Sequence, residues 1–172
     1  GSVGGAVVRL LARDRAVDRL TLVARRRPRL EALAEEVRRQ VPTRASIDLA
    51  DVAEADLVVL LTASADALVG PEHLGRGAVV LDATQPRNTS PDLLLARPDV
   101  RVVDGGVVEV EGLRLVGGSI GLPDGRAYAC FAETMILALS GHQGHFATGV
   151  PTLEQVDRTR ALAAELPHLG LG

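Results

Sequence analysis

The chain of 172 residues contains no tryptophan, one tyrosine, two phenylalanines and a single cysteine, and all 19 of its basic residues are arginine. Each scarcity closes off some chemistry. One cysteine excludes an internal disulfide and any multi-cysteine metal site. Few stacking aromatics and a formal net charge of −3 argue against a dedicated nucleic-acid binder. Without lysine there is no P-loop lysine, no Schiff base and no Tyr-x-x-x-Lys proton relay. No run approaches the roughly 20 apolar residues of a membrane helix and no signal-peptide pattern stands out, so no transmembrane segment is expected and the expected compartment is the cytoplasm. What is abundant is ordinary: 47% hydrophobic and 24% charged residues describe a globular chain with enough material for a sizeable core.

Apolar runs alternate with helical patterns along the first two thirds. Leu20 to Ala24 (LTLVA) reads as a strand, and the following RRRPRLEALAEEVRRQV places Leu30, Leu33, Ala34 and Val37 at helical spacing. Three more continuous apolar runs, Ala55 to Ser64, Gly77 to Thr84 and Val100 to Gly106, read as strands covered on both faces. Strands alternating with helices imply an α/β fold with a doubly wound parallel sheet of Rossmann type. After Gly106 the run VVEVEGLRLVGG alternates with a period near two and predicts a hairpin. A helix then carries Phe131, Met135, Ile136 and Leu139 on one face, and Thr152 with Gln155 has the spacing of a capping box before the last helix.

The opening GSVGG stands directly before an apolar helical pattern at Val7, Val8, Leu10 and Leu11. In one reading Gly1, Ser2, Val3 and Gly4 are the end of a dinucleotide fingerprint, in which glycines admit the pyrophosphate and the helix N-terminus supplies its dipole and free N–H groups. In the other, Gly1 and Ser2 are a vector remnant before an ordinary helix. The next strand arrives after one helix, as in a βαβ unit, and at its end stand Arg25, Arg26 and Arg27 where an NAD enzyme would place an acid. An arginine fork there suits a 2′-phosphate, so NADP(H) is the expected cofactor, against the plainer reading of a solvated arginine run. Thr62, Ala63 and Ser64 close the next strand with small residues against which a nicotinamide can lie, or are plain strand-end residues.

Cys130 sits where GRAYACFAE passes from loop into helix. A thiol in the first turn of a helix feels the positive end of the dipole, which favours the thiolate, whereas most free cysteines are small buried hydrophobes. His142 and His145 read as solvated loop residues with no third ligand in sight, so no metal is expected.

The segments ADLVVLLTAS, VVLDATQPRN, VVDGGVVE and ACFAETMILAL stand in the order and approximate spacing of the C-terminal half of the long-chain fatty acyl-[acyl-carrier-protein] reductases, the aldehyde-forming cyanobacterial type, and the chain resembles that family from its glycine turn to about Leu139. The resemblance implies that Cys130 accepts the acyl group as a thioester and that NADPH reduces it to a fatty aldehyde. It implies an acyl carrier protein or acyl-CoA as the substrate's bearer. Gly105 and Gly106 are counted with the expected cofactor-binding residues, and because such chemistry needs a donor for the developing oxyanion, loop N–H groups near them are candidates for that as well. Expected on this basis are an NADP-binding domain over residues 1–141 carrying the cysteine helix, and a C-terminal loop and helix over 142–172 packed on it. The first strand, and a preceding domain that helps form the acyl pocket, are expected upstream as part of a longer parent chain. Two departures stand out: Val110 occupies a position where the family usually has histidine, and GHQGHFATGVP replaces a segment bearing tryptophan and arginine. Rival readings are a dehydrogenase of shikimate or glutamyl-tRNA reductase type, and a non-catalytic NADP(H)-sensing module.

Overall fold

A computed structural model describes residues 1–62 and 68–170. These form two compact units, Gly1–Asp104 and Gly105–Gly172.

The first unit is α/β with parallel strands. It begins with α1 (Ser2–Arg13), then β1 (Leu20–Val23), α2 (Arg27–Val37) and β2 (Thr43–Ser46), with β1 and β2 paired in parallel. Helix α2 starts at the arginine run because Pro28 pre-sets the backbone of its first turn. It buries Leu30, Ala34 and Val37, the same face that helical spacing marks in the sequence. Val8 of α1 packs with Leu20 and with these residues, so both helices cover the small sheet. Strand β2, TRAS, carries no apolar run and is not legible as a strand; its ladder with β1 and the packing of Ala45 under α2 create it.

A 3-10 turn (Leu49–Glu54) leads to β3 (Leu57–Leu60), and β4 (Val79–Asp82) and β5 (Arg101–Asp104) follow, all parallel in the order β3-β4-β5. Among the described residues the connections carry a 3-10 turn (Pro71–His73) between β3 and β4 and the four-residue helix α3 (Leu93–Ala96) between β4 and β5. This corrects the expectation of strands covered on both faces. Val58, Leu60 and Val80 are buried with Val69, Leu74, Leu93 and Val100, while Val59, Val79 and Leu81 on the opposite face are half-buried and Leu57 is exposed. No ladder joins β1 to β3 among the described residues, so the parallel strands form two sheets.

In the second unit β6 (Val107–Glu109) pairs antiparallel with β7 (Arg126–Tyr128), which runs directly into α4 (Ala129–Leu139). The hairpin expected within residues 107–118 does not form. After Val110 is buried, the chain turns at Gly112 (φ +73°), and the partner of β6 comes from beyond the loop. Gly112 takes the left-handed conformation that a side chain resists, which ends the alternating pattern as a strand. Val110, Ala127 and Ala132 form the small core, with Val108, Leu113, Phe131, Met135 and Leu169 around it. Ala132 and Ile136 are the buried line of α4, whereas Leu139, assigned to that face by its spacing, is exposed. Helix α5 (Leu153–Ala164) packs on α4 and opens with the predicted capping box: Gln155 N–H donates to Thr152 Oγ1 at 3.2 Å and Thr152 N–H to Gln155 Oε1 at 2.9 Å. No described helix is long and apolar enough to cross a membrane.

Candidate functional site

In the first unit the sequence-marked residues gather at two places. Helix α1 starts at Ser2 with Gly1 as its N-cap, so Gly4 and Gly5 lie inside the helix and do not form a separate turn before it. The first turn of this helix holds no acidic residue, so no side chain within it opposes an anion at the positive end of the dipole. A Cβ built on Gly4 would meet nothing within 4 Å, and one on Gly5 only Arg9 Nη1 at 3.1 Å. Ser2 and Val3 are exposed.

Just past the carboxyl end of β1, Arg25 and Arg26 are exposed and have no ion-pair partner among the described residues. Most other arginines nearby are committed. Arg9 pairs with Glu36 at 2.6 Å, Arg27 with Glu31 at 3.8 Å and Arg44 with Glu54 at 3.2 Å. Two uncommitted guanidinium groups at the end of a strand can take a planar, multiply charged anion in bidentate fashion. Burial costs them nothing until the anion arrives.

The second place lies at the carboxyl ends of β3 and β4, and its main residues were not singled out from the sequence. Asp82, the last residue of β4, is 0% exposed. Its Oδ1 accepts from Thr84 N–H at 3.1 Å and from the Thr84 hydroxyl. Its Oδ2 accepts from Asn88 N–H at 3.0 Å, Thr89 N–H at 3.0 Å and the Thr89 hydroxyl at 3.1 Å. A buried carboxylate is tolerable only when its lone pairs are filled, and here five donors fill them. The loop 83–89, which contains the cis peptide Gln85–Pro86, thus folds around one side chain. Asn88, also fully buried, then accepts the hydroxyl hydrogen of Thr62 beyond β3 on its Oδ1, and its carbonyl accepts from Leu68 N–H at 2.8 Å and Val69 N–H at 3.0 Å. Thr62 is thereby pinned at the edge where open α/β sheets bind ligands. Ala63 and Ser64, marked with it in the sequence, lie outside the described residues. The readable signal was the D-x-T spacing at a strand end, an Asp poised to bond the backbone two residues on.

In the second unit Cys130 is the second residue of α4 and is exposed. The Gly105–Gly106 turn sits beside it in the fold: Gly106 C=O accepts from Ala129 N–H, the first residue of the helix, at 2.9 Å. The N–H groups of Cys130 and Phe131 have no acceptor within a helix at this position and point out of its N-terminus. An exposed thiol, the positive end of a helix dipole and N–H donors therefore share one corner of this unit. Glu133, one turn on, is exposed, and its Oε1 accepts from the Thr159 hydroxyl of α5 at 3.5 Å. Val110 is 1% exposed within the core, a position that would bury a histidine ring. His142 is not the solvated loop residue expected: its ring packs edge-on to Phe146 at 5.3 Å and its Nε2 is buried without a hydrogen-bond partner among the described residues. His145 is exposed.

The fold defines a class first: an α/β chain with parallel strands, Rossmann-like, with an arginine pair at a strand end. Comparison with known proteins then narrows it. The chain is similar to the long-chain acyl-[acyl-carrier-protein] reductase of Synechococcus elongatus, 30% identical over 156 residues, which are 87% of this chain and 44% of the reductase. It is also similar to aminotransferase PigE of a Serratia species, 32% identical over 88 residues, 50% of this chain and 10% of that protein. No protein-family model matches. The chain spans less than half the length of these relatives, and the relationship to the reductase is a distant one.

Proposed function

We propose that this chain is the cofactor-binding and cysteine-bearing part of an NADPH-dependent reductase that converts a fatty acyl thioester to an aldehyde. The observation that carries the proposal is the exposed Cys130 in the N-terminal turn of α4 beside Gly106, in a chain distantly similar to an acyl-[acyl-carrier-protein] reductase. The glycine-containing first turn of α1 and the exposed Arg25 and Arg26 support a dinucleotide carrying a 2′-phosphate: Gly1, Ser2, Val3 and Gly4 face the pyrophosphate, the arginines face the 2′-phosphate, and Thr62 borders the nicotinamide. Ala63 and Ser64 belong to the same assignment. When bound, the cofactor supplies a hydride.

The thiolate of Cys130 attacks the thioester carbonyl and expels the carrier's thiolate, so one thioester is exchanged for another. Hydride addition to the Cys130 thioester gives a hemithioacetal oxyanion, which N–H groups of the helix start and of Gly105 and Gly106 can stabilise before a proton is taken up. Collapse releases aldehyde and returns the thiol, and the balance is acyl thioester plus NADPH plus H⁺ to aldehyde, carrier thiol and NADP⁺. Arginines on the surface suit an acidic carrier protein as the acyl donor, and acyl-CoA offers the same thioester.

Intact mass of the full-length protein, incubated with a long-chain acyl thioester and then with NADPH, tests this. An acyl adduct on Cys130 that disappears as aldehyde forms is the expected result, and Cys130→Ser abolishes the adduct while NADPH still binds. If wild-type protein gives no adduct yet binds NADPH, Cys130 is not the nucleophile and the chain is better read as a sensor of that cofactor.

A further inference from the structure

We infer that Asn88, held in place by Asp82, is a positioning residue for the nicotinamide end of the cofactor site, acting through Thr62. This inference rests on the cofactor reading above and adds the residues that fix its reactive end. The Asn88 side chain accepts the Thr62 hydroxyl, and its carbonyl accepts the N–H groups of Leu68 and Val69. One residue on the loop after β4 therefore fixes Thr62, just beyond β3, together with Leu68 and Val69.

Asn88 could not hold that position by itself. Its own N–H donates to Asp82 Oδ2 at 3.0 Å and to Thr84 Oγ1 at 2.9 Å, and Thr89 next to it donates twice more to Asp82. Val69 and Thr89 form an isolated parallel bridge that locks the same register. Asp82, Thr84, Asn88 and Thr89 are each at most 9% exposed, so the network is dry and cannot relax by exchanging partners with water. Thr62, by contrast, is exposed. A stiff, fully satisfied buried network whose one outward-facing member lies on the ligand edge of a parallel sheet is the arrangement a preorganised binding site requires.

The test separates the two ends of the cofactor. Full-length protein is titrated with NADPH and with adenosine 2′,5′-bisphosphate, which carries the 2′-phosphate but no nicotinamide, by calorimetry. Thr62→Val removes only a hydroxyl from an exposed side chain and leaves the fold intact; Thr62→Ser keeps the hydroxyl; Asn88→Ala removes the acceptor. Thr62→Val and Asn88→Ala are expected to weaken NADPH binding about tenfold, the effect of losing roughly one hydrogen bond's worth of positioning, with bisphosphate binding unchanged. Thr62→Ser retains NADPH binding. The inference is overturned if Thr62→Val leaves NADPH binding unaltered, or if it weakens both ligands alike. Wild-type protein that binds neither ligand overturns the cofactor reading itself and this inference with it.

Discussion

Replacing Asp82 by alanine is expected to unfold the first unit under conditions where the wild type is stable, and the size of the effect follows from counting stranded donors. Five hydrogen bonds converge on this carboxylate. The two hydroxyls can rotate toward other acceptors, and Asn88 N–H keeps Thr84 Oγ1 at 2.9 Å. Thr84 N–H and Thr89 N–H lose Asp82 with no other acceptor bonded to them among the described residues. Leaving a buried donor unsatisfied costs about 1–3 kcal/mol, so the pair costs roughly 2–6 kcal/mol against a total of about 5–15 kcal/mol for a typical domain. The chain has no tryptophan and its one tyrosine, Tyr128, lies in the second unit, so intrinsic fluorescence does not see this change. Hydrogen exchange in urea, read on peptides covering β4 and residues 83–89, does. A midpoint shift worth under about 1 kcal/mol in that segment, with unchanged exchange at Thr84 and Thr89, would refute the reasoning, because water would then have replaced the carboxylate at no penalty.

Other outcomes follow from charges on the surface of the same unit. Removing both Arg25 and Arg26 (each to alanine) is expected to weaken NADPH binding by about a hundredfold, at roughly 1.4 kcal/mol per charge-assisted contact, while NADH binding changes little; equal losses for both cofactors would mean the pair does not face a 2′-phosphate. The Arg97 guanidinium donates to both oxygens of Asp99, and Gly77 N–H adds a third bond, holding the Asp99 carboxyl well below the usual carboxylate range. A depressed folded-state pKa contributes stability that is present above the unfolded value of about 4 and lost as the pH falls toward the folded value. Stability measured from pH 6 downward should therefore fall less steeply below about pH 4 for Asp99→Asn than for wild type, and parallel acid limbs would count against this pair as a source of the loss.

The parts of the fold legible in the sequence are those where one residue class repeats at a fixed period. Strand β1 and helix α2 are visible because Leu22, Leu30, Ala34 and Val37 are buried at the spacing their elements impose. Strand β2 is invisible because its reason for being a strand is the neighbouring ladder and not its own TRAS sequence. The apparent hairpin after Gly106 fails for the complementary reason. Val108 and Val110 do alternate with Glu109 and Glu111, but Gly112 turns the chain, and Arg126–Tyr128 supplies the pairing from a distance that no local pattern encodes. Leu139 shows the limit of periodicity within a correct helix. It continues the Phe131–Met135 row, yet α4 buries Ala132 and Ile136, because the β6–β7 pair behind it is small.

For the site, the sequence marked residues whose chemistry is conspicuous by type: a lone cysteine, an arginine run, glycines before a helix. Gly106 bonds Ala129, the residue before Cys130, at the start of α4, and the nearness of the segments DGG and ACF is as much as the sequence alone could suggest. Asp82 went unmarked because its role is defined by what it accepts and not by what it is. An aspartate at a strand end is common, and nothing in its identity says that Thr84, Asn88 and Thr89 will all turn inward to it. The same fact makes it informative once seen. A carboxylate can be buried in a water-free loop only if that loop adopts one conformation, so the fold has spent a costly residue on the rigidity of residues 83–89 and, through Asn88, on the placement of Thr62. Gln85, Pro86 and Arg87 on that loop are exposed, while Asn88 and Thr89 tie it to Val69 of the core, so the rigidity that serves packing also fixes Thr62 at the edge where parallel sheets take ligands, which is the premise the Thr62→Val titration tests.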